Sequence, residues 1–257
     1  MLSLDEIKPF YPDDLHRFPS FLLREYLQHK ILEIIFNSSY GNRMRFIGGT
    51  CLRIMHNNQR FSENLDFDHV ELDPIDFARI ADIIQSELER EGYAVEMRHV
   101  IRGAYHCYIR FPRLLFESGL TGHQEEKILI QLDSEAQHFD FEPELNLLNK
   151  FDVFANVLVT PLPILLSQKY YAILNRKRAK GRDLFDVVFL HARTDPDFRY
   201  LQQKAGITDS ASLKQAILKR LESLNVNELA NDVAPFLFTP TAANRVTEFP
   251  AFIEQVL

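Results

Sequence analysis

The chain has 257 residues, 46% of them hydrophobic, and a formal net charge of −7. This length holds one large domain or two small ones with a sizeable core, and the acidic balance argues against a surface built throughout for nucleic acid. Two cysteines are too few for a disulfide framework, and neither a signal-peptide pattern nor an apolar run of the ~20 residues that span a membrane occurs, so we expect a cytoplasmic protein.

The first 160 residues mix predicted helices with about five predicted strands. Apolar residues at near-helical spacing predict a helix over 20–37, and the amphipathic stretch from Asp76 to Arg90 predicts another, with Gly92 as its stop signal. A short helix is predicted at 50–56. Alternating or short apolar runs predict strands at 44–47, 65–70, 93–99, 103–111 and 127–135.

After about residue 160 the predicted strands stop. Pro161 and Pro163 begin a region of helical patterns. The predicted helices are 163–179, 182–193, 197–204, 210–224, 226–237 and 248–257. We therefore expect an α+β (α/β-like) fold, with a mixed sheet flanked by helices and a helical C-terminal region. The division is placed between 1–155 and 156–257.

The segment MRFIGGTCLRIMHNNQRFSENLDFD (44–68) carries the strongest functional signal. A strand that ends in Gly48-Gly49-Thr50 brings backbone N–H groups close to phosphate oxygens, and the helix that follows presents its N-terminus to the same anion. On the next strand Asp66 and Asp68 point to one face. Two carboxylates beside a phosphate cradle suit a Mg²⁺-nucleotide site.

These residues resemble the opening motif of minimal nucleotidyltransferases, most closely the AbiEii group of toxins. That family shows a Gly-Gly-Thr/Ser turn, an Arg-Phe-Ser-Glu element and an acidic strand, which appear here as Gly48-Gly49-Thr50, Arg60-Phe61-Ser62-Glu63 and the strand around Asp66. Residues 168–190 resemble the family's later Lys helix and Arg-Asp-x-x-Asp element. The resemblance implies a nucleotidyltransferase-type mixed sheet, with 1–155 as the catalytic region and 156–257 completing its cleft.

The resemblance also implies an activity and its partners. Such proteins use Mg²⁺ and an NTP, and they modify tRNA or another macromolecule as the toxin of a bacterial toxin–antitoxin or phage-defence pair. A cognate antitoxin is therefore an expected partner. The expected nucleotide contacts are Gly48, Gly49, Thr50, Arg60, Ser62, Lys169, Arg182 and Asp183.

The expected metal ligands leave one alternative open. In the family register the first acid of the strand falls on Asn64 and the second on Asp66. Because residues 64, 66 and 68 share one strand face, either Asn64 with Asp66 or Asp66 with Asp68 forms the pair. An Asn side chain offers a carbonyl oxygen without charge. Asp66 is common to both registers.

Three further residues complete the predicted catalytic set. Asp133 ends the strand 127–135 on its polar face and is the candidate base for an acceptor hydroxyl, although it also fits a solvent-facing strand end, and Glu135 shares that face. The resemblance places Lys169 on the nucleotide phosphates. Asp186 follows Asp183 by three positions, so both face the same way, and we favour an organising role for Asp186 through a salt bridge.

Two other functions stay open. Asn64 in place of an acid favours a catalytically impaired nucleotide-binding or interaction protein on the same fold, whereas a small-molecule (antibiotic) nucleotidyltransferase would replace RNA by an aminoglycoside. Six basic residues between 169 and 182 favour a polyanionic acceptor over a cationic drug, unless they are only a solvated helix face. They are Lys169, Arg176, Lys177, Arg178, Lys180 and Arg182.

Overall fold

The computed structural model, which describes residues 1–102 and 104–257, divides the chain into two units. Unit 1 comprises Met1–Met55 and Ser62–Val159, and unit 2 comprises His56–Phe61 and Thr160–Leu257. The sequence pattern placed a division between residues 155 and 156. It did not anticipate that His56–Phe61 belongs with the C-terminal residues.

Unit 1 is organised by a seven-stranded mixed sheet of order β3-β4-β5-β2-β1-β7-β6. Its strands are β1 Met44–Ile47, β2 Leu65–His69, β3 Glu96–Arg102, β4 Ala104–Pro112, β5 Lys127–Ser134, β6 Glu144–Lys150 and β7 Val153–Val159. Strand β2 pairs antiparallel with β1 and parallel with β5. The predicted mixed sheet is confirmed. The predicted start of the fourth strand, Gly103, lies outside the described residues.

Helices cover one face of this sheet. The α-helices of unit 1 are α1 Leu4–Ile7, α2 Pro19–Asn37, α3 Gly48–His56 (apart from its last residue), α4 Pro74–Arg90 and α5 Leu114–Glu117, with 3₁₀ turns at Lys8–Phe10, Asp13–Leu15 and Gly41–Arg43. Helix α2 packs on β5 and β7, and α4 packs on β3 and β4. Alternate strand residues such as Phe46, Phe67 and Leu132 are therefore buried on the helical side.

The hairpin of β6 and β7 adds two strands to the five that were predicted. Lys150 pairs with Val153, so the turn has only Phe151 and Asp152. Phe151 has φ +61°, an unusual value for a bulky residue. Its ring packs edge-on against Phe10 and Tyr26, with centroids 4.9 and 5.2 Å away. Tertiary packing thus holds a turn that lacks the usual Gly or Asn signal.

Unit 2 is helical. Its helices are α6 Leu162–Asn175, α7 Gly181–His191, α8 Phe198–Ala205, α9 Ser210–Leu221, α10 Val226–Val233, α11 Asn244–Thr247 and α12 Phe249–Val256, with 3₁₀ turns at Ala234–Phe236 and Pro240–Ala243. The segment His56–Phe61 joins them because the Phe61 N–H donates to the Phe236 carbonyl at 2.8 Å. No helix in the described ranges is long and apolar enough to cross a bilayer.

Helix α6 ends at Asn175, four residues before the predicted end at 179. Arg220 of α9 holds this end: its Nη2 donates to the Arg176 carbonyl at 2.8 Å and its Nε to the Ile173 carbonyl at 3.2 Å. A cation that bonds the last carbonyls of a helix satisfies groups with no partner inside the helix. Helix α6 therefore ends before the basic residues that begin at Arg176.

A buried carboxylate in α2 ties the N-terminal part of unit 1 together. Glu25 accepts from Arg53 Nε at 2.8 Å, from Lys150 Nζ at 3.0 Å and from the Tyr11 hydroxyl at 3.0 Å. Burial alone would raise the pKa of Glu25, but the Arg53 and Lys150 charges outweigh it and lower that pKa to about 2. The carboxylate is thus ionised at neutral pH, and it links α2 to Arg53 of α3 and to Lys150 at the end of β6.

We predict that Glu25→Gln strongly destabilises the fold. The substitution leaves Arg53 and Lys150 without their buried counter-charge, which costs about 3–5 kcal/mol. Glu96→Gln is the matched control, because its pair with Lys127 is exposed and contributes at most about 1 kcal/mol. Urea unfolding at pH 7 measures both.

The same carboxylate gives the prediction a pH dependence. Because the folded pKa lies below the ordinary value of 4.5, its contribution is complete above that value and is lost as the pH falls toward 2. The gap between the wild type and Glu25→Gln should therefore narrow in acid. Equal destabilisation by Glu25→Gln and Glu96→Gln at pH 7 would contradict this account.

Candidate functional site

The face of the sheet opposite α2 and α4 carries polar residues in register across three strands. Asp66 of β2 pairs with Asp133 of β5, and Asp133 pairs with His106 of β4. Paired residues on neighbouring strands project to the same side, and the strands lie about 4.8 Å apart. All three side chains are partly exposed, whereas the flanking Leu65 and Leu132 are buried on the other face.

The turn at Gly48 lies directly against the Asp66 carboxylate. Gly48 has φ +79°, and a Cβ built on it would collide with Asp66 Oδ2. Only glycine combines this backbone conformation with such a close approach. Strand β1 ends at Ile47, which pairs with Asp66, and α3 begins at Gly48. The sequence Ile-Gly-Gly-Thr thus brings a helix N-terminus beside one carboxylate.

The two residues after Gly48 stabilise this turn through buried contacts. Gly49 and Thr50 are buried, and the Thr50 hydroxyl donates to the Asn64 carbonyl. That bond fixes the residue that enters β2. The Ser62 carbonyl accepts from Gln28 Nε2 of α2 at 3.1 Å. Thr50 therefore holds the entry to β2, and Ser62 is tied to α2.

Asp68 has a more enclosed setting than Asp66. It shares the polar face but is only 4% exposed, and its Oδ1 accepts the Gln137 backbone N–H at 2.8 Å. Arg45 is its partner across β1. Burial lowers the pKa of Arg45, and the charges of Asp68 and Glu142 oppose that shift. Asp68 thus binds the chain segment after β5 as well as facing the polar row.

Two donors hold the Asp133 carboxylate. His106 Nδ1 lies 2.6 Å from Oδ1, and Gln131 Nε2 lies 2.7 Å from Oδ1 and 3.0 Å from Oδ2. The sequence pattern gave Asp133 a polar strand face but no partners. Glu135 lies just beyond β5, and its backbone N–H donates to the Phe67 carbonyl at 3.1 Å.

The oxygen donors of this face fit a Mg²⁺-nucleotide. Within the described ranges, no group of three His, Cys, Asp or Glu side chains is placed to hold a metal ion. A nucleotide-bound Mg²⁺ needs only one or two carboxylates, because phosphates and water complete its shell. Asp66 beside the Gly48 turn, with Asp68 two residues further along β2, meets that requirement, and Asn64 lies just before the strand.

The second group of predicted residues lies in unit 2, around Asp186. Arg60 donates from Nε to Asp186 Oδ1 at 2.7 Å and from Nη2 to Oδ2 at 2.6 Å, and Lys169 Nζ lies 2.8 Å from Oδ2. Asn58 Nδ2 donates to Oδ1 at 2.8 Å. Burial alone would raise the pKa of Asp186, but Arg60 and Lys169 outweigh it and lower that pKa to about 2.

Asp183 extends this cluster toward the basic loop, which comprises residues 176–180 between α6 and α7. Lys169 Nζ lies 3.2 Å from Asp183 Oδ1, and Arg176 Nε lies 3.2 Å from Oδ2. The helix start is set by Gly181, where a Cβ would collide with the Leu229 carbonyl of α10. Arg182, the next residue, is partly exposed. Lys169 is thus held between two carboxylates, and its side chain is 11% exposed.

The predicted residues therefore form two groups. Gly48, Gly49, Thr50, Ser62, Asn64, Asp66, Asp68 and Asp133 lie in unit 1, and Arg60, Lys169, Arg182, Asp183 and Asp186 lie in unit 2. Sequence reasoning missed His106, Gln131 and Asn58. Alternation places His106 and Gln131 on the polar faces of β4 and β5. The register in which β4 and β5 pair, however, cannot be deduced from turn rules, because the connection between the two strands is too long.

Known proteins resemble this chain in sequence and in fold. The sequence model of the family described as "Nucleotidyl transferase AbiEii toxin, Type IV TA system" matches residues 30–241. No curated protein matches the sequence.

Three solved structures share the fold. MenT4, a nucleotidyltransferase toxin from Mycobacterium tuberculosis H37Rv, has a TM-score of 0.59 at 17% identity, covering 100% of this chain and 91% of that one. JHP933 from Helicobacter pylori has a TM-score of 0.58 at 16% identity, covering 92% and 91%. A putative nucleotidyltransferase from H. pylori has a TM-score of 0.56 at 16% identity, covering 92% and 95%.

We predict that Gly48→Ala destabilises the protein more than Gly119→Ala. Both glycines have positive φ, +79° and +68°, so both substitutions introduce the same strain of about 1–2 kcal/mol. Only at Gly48 does the new methyl group also meet the Asp66 carboxylate; at Gly119 it meets nothing within 4 Å in the described structure. The difference between the two urea unfolding midpoints therefore isolates the contact with Asp66. Equal midpoints would show that Asp66 moves aside freely.

Proposed function

The chain belongs to the AbiEii family of toxins and is a nucleotidyltransferase, and we propose that it transfers a nucleoside monophosphate from a Mg²⁺-bound NTP to tRNA or another macromolecule. The close approach of Gly48 to the Asp66 carboxylate carries this proposal. It supports a nucleotide site where a helix N-terminus, a bare backbone and a carboxylate meet.

The reaction is a displacement at the α-phosphorus of the NTP. An acceptor oxygen loses its proton to Asp133 and forms a bond to that phosphorus, while the bond to the bridging oxygen breaks and pyrophosphate leaves with the bonding electrons. Family members generally use a divalent metal, and we propose Mg²⁺, which would neutralise charge on the phosphates. Asp66 would hold it, with Asp68 or Asn64.

The enclosure of Asp68 bears on the open register. Its Oδ1 accepts the Gln137 N–H, whereas Asp66 faces the Gly48 turn. We propose Asp66 as the principal ligand in either register. Asp68 would add charge to the same face, and Asn64 would contribute at most a neutral oxygen.

In unit 2 we propose that Lys169 binds nucleotide phosphates and that its carboxylate partners hold it in place. An ammonium group has three donors, and the contacts found among the described residues, to Asp183 and Asp186, account for two. Arg60 is 1% exposed and binds Asp186 with two nitrogens. We therefore assign Arg60 an organising role instead of the nucleotide contact that the sequence suggested.

The basic loop after α6 supports a polyanionic acceptor. Arg176, Lys177 and Arg178 are exposed, and Arg220 adds a further cation where the loop begins. Clustered basic side chains on an acidic protein suit the phosphates of RNA better than a cationic drug. We propose tRNA as one such acceptor and the cytoplasm as the place of action, because NTPs and tRNA are found there.

The family description implies an antitoxin partner through its type IV toxin–antitoxin assignment. We propose that this chain acts as the toxin of such a pair or of a phage-defence system. In the register that aligns Asn64 with the first acid of the family, Asn64 favours one alternative: a nucleotide-binding protein with impaired catalysis. That alternative retains binding of the NTP but not metal-dependent transfer.

We predict that Asp66→Ala abolishes transfer, since Asp66 is a ligand in both registers. If Asp66 and Asp68 hold the metal, Asp68→Asn lowers the transfer rate by on the order of 100-fold, and Asn64→Asp has little effect or is harmful because it adds a like charge. We expect the results described for the Asp66–Asp68 pair. Mg²⁺ titrations of label transfer from an α-labelled NTP measure all three variants.

The other register gives the opposite pattern. If Asn64 and Asp66 form the pair, Asp68→Asn is tolerated and Asn64→Asp tightens the Mg²⁺ dependence. Full transfer by Asp66→Ala would overturn the proposed function itself. Circular dichroism and urea unfolding of each variant separate a lost ligand from a lost fold.

A further inference from the structure

Three side chains of unit 1 form a hydrogen-bonded cluster on the open sheet face: His106, Gln131 and Asp133. We propose that His106 is a positioning residue, which with Gln131 fixes the Asp133 carboxylate so that Oδ2 receives the proton of the acceptor hydroxyl. This inference rests on the proposed function, in which Asp133 is the base. It adds a residue that the sequence pattern did not single out.

The donors are distributed unequally over the two oxygens of Asp133. Oδ1 accepts from His106 Nδ1 at 2.6 Å and from Gln131 Nε2 at 2.7 Å, whereas Oδ2 accepts only the longer 3.0 Å contact from Gln131 among the described residues. A carboxylate oxygen has about two acceptor sites. Oδ1 is therefore filled, and Oδ2 retains acceptor capacity for a proton.

The two donors come from different strands. Gln131 lies two residues before Asp133 on β5, and His106 is the residue of β4 that pairs with Asp133. One donor on the same strand would leave the carboxylate free to rotate about its side-chain bonds, but a second donor from the side fixes that rotation. Side chains held by such supporting bonds keep a reacting group near its productive geometry.

The cluster lies next to the proposed metal ligand. Strand β5 lies between β2 and β4, so Asp133 has Asp66 on one side and His106 on the other. Neighbouring strands are about 4.8 Å apart. The order across the face is therefore Asp66, Asp133 and His106. An acceptor hydroxyl aimed at an α-phosphate near Asp66 meets Asp133 first, and His106 supports Asp133 from behind.

The hydrogen bond also defines the form of the imidazole. An ionised carboxylate only accepts, so Nδ1 of His106 carries the hydrogen and donates it. Because this N–H performs the positioning, a side chain that keeps a donor at the same place should replace histidine. Asparagine does so, since its amide nitrogen lies at about the position of Nδ1, whereas the glutamine amide nitrogen lies nearer the position of Nε2.

The test compares three substitutions in label transfer from an α-labelled NTP to total tRNA. We expect His106→Ala to lower kcat by on the order of 10- to 100-fold, because a small misplacement of a reacting group has effects of that size. KM for the NTP should stay unchanged. His106→Asn should recover most of the lost kcat, and His106→Gln should recover less. His99→Ala, at an exposed position on β3, is the matched control and should transfer like the wild type.

Each contrary result has a distinct meaning. Wild-type kcat in His106→Ala, while Asp133→Ala is inactive, overturns the positioning role and leaves the proposed function standing. Recovery by His106→Gln but not by His106→Asn assigns the effect to Nε2 and also overturns it. A lower melting temperature with a raised KM in His106→Ala indicates a structural role only. If the wild type transfers no label, the proposed function fails and this inference fails with it.

Discussion

The pairing of β2 between β1 and β5 is the constraint on which the candidate site depends. Antiparallel pairing with β1 sets Asp66 opposite Ile47, so the turn at Gly48 follows at once. Parallel pairing with β5 sets Asp133 beside Asp66. A shift of one residue in either register would turn one of these carboxylates into the helical core. The buried side chains Leu65, Phe67 and Leu132 therefore fix the chemistry of the opposite face.

Unit 2 depends on a different interaction, in which one buried carboxylate binds two cationic side chains. Asp186 is fully buried and contacts both Arg60 and Lys169. Removing one member of such a cluster leaves a buried charge without its partner, so the cluster is stable only as a whole. This explains why the short segment His56–Phe61 belongs to unit 2 although its neighbours in sequence belong to unit 1. The same contacts hold Lys169 in one place.

Local sequence patterns predicted the features of this protein that depend on local rules. The Gly-Gly-Thr turn, the acidic strand and the amphipathic helix α4 follow from glycine conformation and from periodicities of 2 and 3.6 residues. The β6–β7 hairpin was missed because its turn carries no Gly or Asn: Phe151 adopts the positive φ, and its ring packs against Phe10. The burial of Arg60 was missed because its partner lies 126 positions away in the sequence. The His106–Asp133 pair depends on a register across the long β4–β5 connection. Pairing partners of this kind are set by tertiary packing, not by spacing.

We propose that this chain is an active nucleotidyltransferase with a polyanionic acceptor. The most direct measurement incubates the wild-type protein with each α-labelled NTP in turn, with Mg²⁺, and with either total tRNA or an aminoglycoside, and then resolves the products by gel and thin-layer chromatography. We predict label on tRNA with at least one NTP, none on the aminoglycoside, and none when EDTA replaces Mg²⁺. Binding of NTP without transfer of label to either acceptor would contradict it and favour the catalytically impaired alternative.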